Sequence, residues 1–150
     1  PKLLAAYETV IKHLDCPVVL GGKSMGGRMS SMLLAENALR EESDRLPILG
    51  SACLGFPFHA VGKEPKDRLD HMAELIEPLL IVQGTRDTMG TKEEVQGYIA
   101  EKRVSESVQL SWLEDGNHDL KPRKVSGFSH QEHIGSAIDQ VAEFVLALNK

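Results

Sequence analysis

Cysteine, excess positive charge and long apolar runs are what this chain has least of, and each shortage excludes a class of protein. Among its 150 residues only Cys16 and Cys53 are cysteines. Two thiols make no disulfide framework, and both fall beside or within predicted strands, where a free thiol behaves as a small core residue. That usage points to a reducing, cytoplasmic setting. No apolar run approaches the roughly 20 residues that span a bilayer, and no secretory signal precedes the first helical stretch, so no membrane partner is expected. Lys and Arg number 17 against 22 Asp and Glu, a net charge of −5, which speaks against nucleic acid as a partner. The lone basic cluster, Lys121-Pro122-Arg123-Lys124, reads as a solvated loop, although it could also attract anionic substrates. Repeats, low-complexity tracts and linkers are missing too, so residues 1–150 read as one domain with one core.

Two apolar periodicities alternate along the chain. Leu3, Leu4, Tyr7, Val10, Ile11 and Leu14 follow helical spacing, and Ile134, Ile138, Val141, Val145 and Leu148 form a second stripe near the end. Between them, unbroken apolar runs near 17–22, 47–54, 79–84 and 107–113 read as strands covered on both faces. Further helical patterns fall near 25–40, 67–76 and 91–102. Strict alternation of strand and helix predicts an α/β fold with a parallel sheet and right-handed crossovers.

The segment Gly22-Lys23-Ser24-Met25-Gly26 fits Gly-x-Ser-x-Gly. It sits directly behind the apolar run Pro17-Val18-Val19-Leu20-Gly21 and ahead of the stripe Met29, Met32, Leu33. A strand, a tight turn and a helix would expose the Ser24 hydroxyl above the sheet, with Gly22 and Gly26 leaving steric room. Amides 25–27 would face an anion forming on a substrate, Met25 N–H being the candidate oxyanion donor. Gly22-Lys23-Ser24 also resembles the tail of a phosphate-binding loop. Pro17 stands where that loop needs glycine, and Val18-Val19-Leu20 is strand where it needs loop.

A serine needs a base, and the base needs an orienting acid. Pro78-Leu79-Leu80-Ile81-Val82-Gln83-Gly84 runs into Thr85-Arg86-Asp87, and Val108-Gln109-Leu110-Ser111-Trp112-Leu113 runs into Glu114-Asp115-Gly116-Asn117-His118. Asp87 and His118 thus follow the carboxyl ends of strands, the edge where parallel sheets build their sites. Competing readings exist: Asp87 as a cap for the helix near Thr91, Asp115 as the acid or as turn chemistry, and His59 as the base. His13 and His71 lie on helical segments and read as solvated. His130 and His133 form a His-x-x-His too sparse for a metal site. No metal or other cofactor is called for.

Taken together, Gly21-Gly22-Lys23-Ser24-Met25-Gly26-Gly27-Arg28-Met29, Leu54-Gly55-Phe56-Pro57-Phe58-His59, Gln83-Gly84-Thr85-Arg86-Asp87 and Trp112-Leu113-Glu114-Asp115-Gly116-Asn117-His118 resemble a small α/β-hydrolase family. The resemblance is to bacterial hydrolases related to dienelactone hydrolases, whose eukaryotic relatives include a subunit of a chromatin-modifying acetyltransferase complex. It implies an α/β-hydrolase-like, mostly parallel sheet with helices on both faces, corresponding to the carboxyl-terminal portion of that fold. It also implies Ser24 as nucleophile, Asp87 as acid and His118 as base, acting on a small acyl substrate. Family members carry further amino-terminal strands and a loop with a second oxyanion donor. The edge of strand 17–22 is therefore expected to be covered, either by such a segment or by another copy in a homo-oligomer.

Lys23, Phe56, Phe58 and His59 are the expected pocket neighbours, with Lys23 and Arg28 equally readable as solvated. The connection from Gly55 to Pro65 is too short for a lid. The leading expectation is ester hydrolysis. The alternative is a non-catalytic scaffold of the same fold that binds a protein partner.

Overall fold

The computed structural model describes residues 2–14 and 16–149. Helix α1 spans Lys2–His13, strand β1 Val18–Lys23, helix α2 Met25–Ala38 and strand β2 Ile48–Leu54. Strand β3 follows at Leu79–Gly84, helix α3 at Lys92–Ala100, strand β4 at Val108–Leu113 and helix α4 at His130–Leu148. The strands lie in the order β1-β2-β3-β4, every neighbouring pair parallel. This is the expected parallel α/β sheet, with helices on both faces.

Side chains alternate across β3, and the two halves of that alternation enter different cores. Leu79 and Ile81 pack with Leu4, Ile11, Leu33, Leu34 and Val95, on the face covered by α1, α2 and α3. Leu80 and Val82 pack with Ala137 and Phe144 of α4. Burial on both faces is why these strands read as unbroken apolar runs. Helices α3 and α4 each begin with a capping box, Thr91 with Glu94 and Ser129 with Glu132. Thr91, not Asp87, therefore caps α3.

Two expectations are corrected here. The stretch expected as a helix near 67–76 is a 3-10 helix over Lys66–Met72. Leu69, Met72 and Leu75, all buried, recur every third residue, which suits three residues per turn better than 3.6. Cys16 is exposed, because it lies in the connection ahead of β1 and outside the sheet. Cys53 is fully buried, and burial, reinforced by the charge of Asp87, pushes its thiol up to about 12. That thiol is unreactive.

Candidate active site

Ser24 is the one residue between the end of β1 and the start of α2, and the turn forces it to φ 53°, ψ −117°. A non-glycine residue held there stores strain on the order of 1–3 kcal/mol, so its surroundings must impose it. Its N–H donates to the Leu54 carbonyl at 3.1 Å, and its carbonyl accepts from Arg28 N–H at 3.0 Å. A Cβ on Gly22 would lie 2.5 Å from the Gly26 carbonyl carbon, and one on Gly27 would lie 1.9 Å from Cys53 Sγ. Strand and helix can cross this closely only with glycine at both positions. Gly26 corrects the motif-based expectation, since a Cβ there would meet only Tyr7 Oη at 3.8 Å. Its glycine is not required for space. Met25 opens α2, so its N–H has no intrahelical acceptor and stands at the positive end of the helix.

Ser24 Oγ lies 2.8 Å from His118 Nε2, and His118 Nδ1 lies 2.7 Å from Asp87 Oδ2. The tautomer follows from chemistry. Asp87 accepts, so Nδ1 carries the hydrogen, which leaves the Nε2 lone pair to receive the serine hydroxyl. Asp87 is fully buried, and its other oxygen, Oδ1, accepts the Met89 N–H at 2.8 Å. Hydroxyl, imidazole and carboxylate, far apart in sequence, form one line through which a proton can leave Ser24.

The loop carrying His118 is pinned from several directions. Asp115, in left-handed backbone at φ 58°, accepts the Arg123 N–H at 2.7 Å and the Arg123 Nε–H at 2.8 Å. These bonds hold its carboxyl below the usual carboxylate range. Its backbone carbonyl receives Arg86 Nη1–H at 2.9 Å, and Arg86 N–H reaches the Gly116 carbonyl. The Asp115 carboxylate is thus committed to the loop, and it is Asp87 that lies against His118. Arg123 is its clamp and is exposed, as the solvated-loop reading expects. His133 Nδ1 lies 2.8 Å from the Leu120 carbonyl and His130 Nε2 3.0 Å from the Asp119 carbonyl. The His-x-x-His of α4 ties down the same loop. Close packing adds to this: a Cβ on Gly55, itself at φ 67°, would meet the His118 carbonyl at 2.7 Å.

Lys23 stays beside the site, its Nζ 2.6 Å from Asp119 Oδ1, so the residues preceding Ser24 and following His118 are joined across it. Phe56, Phe58 and His59, expected as pocket walls, are corrected. Both phenylalanines are fully buried in the core, edge-to-face at 4.9 Å. The chain turns them inward after β2, because a Gln83 amide holds both polar groups of the Phe56 backbone. His59 is buried as well, with Nδ1 2.9 Å from the Ala60 carbonyl and Nε2 3.4 Å from Glu94 of α3. His71 is not solvated either: its Nε2 is 2.8 Å from Ser31 Oγ. His13, by contrast, is exposed as expected.

Gln83 is the residue the sequence reading missed. It is fully buried at the end of β3, with Nε2 2.9 Å from Asp87 Oδ2. The signal was present as a lone amide closing the apolar run Leu79–Val82.

Comparison with known proteins agrees with this architecture. A solved alpha-beta serine hydrolase homologue from Coxiella burnetii superposes with a TM-score of 0.63 at 18% identity, covering 94% of this chain and 56% of its own. A YdeN-like hydrolase structure from Pectobacterium atrosepticum gives 0.65 at 20% identity, covering 98% and 69%. The esterase domain of a Rhodothermus marinus protein gives 0.55 at 16%, covering 78% and 57%. This chain therefore spans little more than half the length of the first and third. At such identities the likeness is one of fold. No helix among the described residues is long and apolar enough to cross a membrane. The family model for an alpha/beta hydrolase domain matches residues 1–146, and the chain belongs to that family.

Proposed function

We propose that this protein is a serine hydrolase that transfers the acyl group of a small ester to water, with Ser24, His118 and Asp87 as its triad. The observation that carries the reading is the unbroken line Ser24 Oγ, His118 Nε2, His118 Nδ1, Asp87 Oδ2, with spacings of 2.8 Å and 2.7 Å across its two hydrogen bonds. In this reading His118 Nε2 takes the Ser24 proton as Oγ bonds to the substrate carbonyl carbon. The tetrahedral adduct then collapses, and the imidazolium returns that proton to the departing alcohol. Water repeats the sequence: its proton goes to Nε2, its oxygen to the acyl carbon, and Ser24 leaves reprotonated. Asp87 keeps the Nδ1–H tautomer and stabilises the imidazolium while remaining ionised. Met25 N–H donates to the oxyanion. One such donor is typically worth about 10²–10³ in rate, so a second donor from elsewhere would matter.

Kinship with dienelactone hydrolases and a cytoplasmic setting belong to the same proposal, supported by the four motifs and by two free thiols. The proposal also has the open side of β1 covered by further strands or by a second copy of the chain. Its support is the apolar surface on both flanks of that edge, with Val10 exposed on α1, Leu14 exposed just past it, and Ile138 and Leu146 exposed on α4. A monomeric mass by light scattering removes the second-copy arm. Ser24→Ala should cut ester turnover by about 10⁴–10⁶ and abolish labelling by a fluorophosphonate probe. Retention of most turnover in that variant sinks the reading. Refusal of the probe by folded wild-type protein favours the scaffold instead.

A further inference from the structure

We propose that Gln83 is a positioning residue of this site, its side-chain amide setting the Asp87 carboxylate in line with His118. The inference rests on the hydrolase reading above and deepens it.

The orientation of the amide is dictated by its partners. Phe56 N–H can only donate, and it lies 2.7 Å from Gln83 Oε1. The opposite end of the amide must then be nitrogen, and that nitrogen lies 2.9 Å from Asp87 Oδ2. It also lies 3.1 Å from the Gly90 carbonyl and 3.2 Å from the Phe56 carbonyl. One fully buried side chain thus joins the turn after β2, the end of β3 and the turn before α3 to the acid. Asp87 Oδ2 receives two donors, Gln83 Nε2–H and His118 Nδ1–H, while Oδ1 receives Met89 N–H.

Each donor constrains a different motion of the carboxylate. Met89 N–H fixes the far oxygen, and the imidazole is the group to be oriented. Among the described residues, Gln83 is the one donor to Oδ2 besides that imidazole. Remove its N–H and the Met89 bond at Oδ1 is left as the one backbone restraint against rotation about Cβ–Cγ, a motion that would carry Oδ2 and the imidazole with it. Donors to a buried carboxylate are charge-assisted, and no water takes this one's place without opening the core. A rival account makes Gln83 a stitch between Phe56 and Gly90 with no bearing on Asp87. The two accounts differ in what happens at His118.

The variant Gln83→Met keeps length and volume and deletes the amide. In folded Gln83→Met, kcat for p-nitrophenyl acetate and the fluorophosphonate labelling rate should fall about 10–100-fold with KM unchanged, as expected of a misplaced catalytic group. The low-field proton resonance of His118 Nδ1–H should shift or broaden as well. Wild-type kcat together with an unmoved Nδ1–H resonance overturns the proposal. Should Gln83→Met not fold, wild-type protein decides. The Gln83 side-chain amide resonances should follow the His118 titration with its midpoint, and amide resonances that stay flat through it overturn the proposal. Neither resonance depends on turnover. An active Ser24→Ala would therefore defeat the hydrolase reading while leaving the Gln83–Asp87–His118 coupling independently measured.

Discussion

Two serine–histidine contacts involve α2, one at its N-cap and one at its middle, each with Oγ 2.8 Å from Nε2, and they are built for different ends. At one, Ser24 is strained, partly exposed and faces His118, behind which stands the buried carboxylate of Asp87. At the other, Ser31 is fully buried within the helix and gives its only hydrogen to the Arg28 carbonyl at 2.8 Å. It can therefore only accept from His71. Burial, and then the charge of Arg28, push the His71 imidazole down to about 4 despite the opposing charge of Asp70. A hydroxyl–imidazole bond becomes a route for a nucleophile's proton only when the serine is reachable and the developing imidazolium has a carboxylate behind it. Among the described residues, the second pair has neither property. It is a polar joint between α2 and the 3-10 segment.

That contrast can be broken by substitution. His118→Ala should lower ester turnover by about 10⁴–10⁶, whereas His71→Gln should leave it at the wild-type level. Equal losses would erase the distinction. Asp87→Asn should cost about 10⁴ in turnover with the fold intact, because an amide holds the wrong tautomer. Wild-type turnover there would show that the acid is not what separates the pairs.

The weakest effect belongs to His71 and appears in stability. Its folded value, about 4, lies below its ordinary 6.5, so the unfolded chain binds the proton more readily. The stabilisation is complete above pH 6.5 and is lost as pH falls towards 4, by about 3 kcal/mol in all. Urea titrations across that window should show the loss in wild-type protein and a flatter profile in His71→Gln. Identical profiles would mean that His71 titrates as a solvated group.

Much of the site was legible before folding, and what was legible was local. A strand, a glycine-flanked serine and a helix are contiguous, so the bend at Ser24 follows from neighbours. Asp87 and His118 could be placed because each follows an apolar run whose end marks the same edge of a parallel sheet. Phe56 and Phe58 were misjudged for the complementary reason. Their position after a strand suggested an open wall, but the direction of a side chain beyond a strand end depends on its backbone partners. Here those partners belong to Gln83, 27 residues away. Asp115 was ambiguous until Arg123 and Arg86 closed on it. The His-x-x-His pair looked idle until the loop after His118 came to rest against α4.

By itself, the order of residues determined the α/β class, the four strands and the chemical types present at their carboxyl ends, since periodicity and turn chemistry act over a few neighbouring positions. Tertiary structure alone decided which histidine meets Ser24, which carboxylate stands behind it and which amide supports that carboxylate. Hydrogen-bond direction and burial are properties of groups brought together across the sheet, and no stretch of chain contains them before it packs.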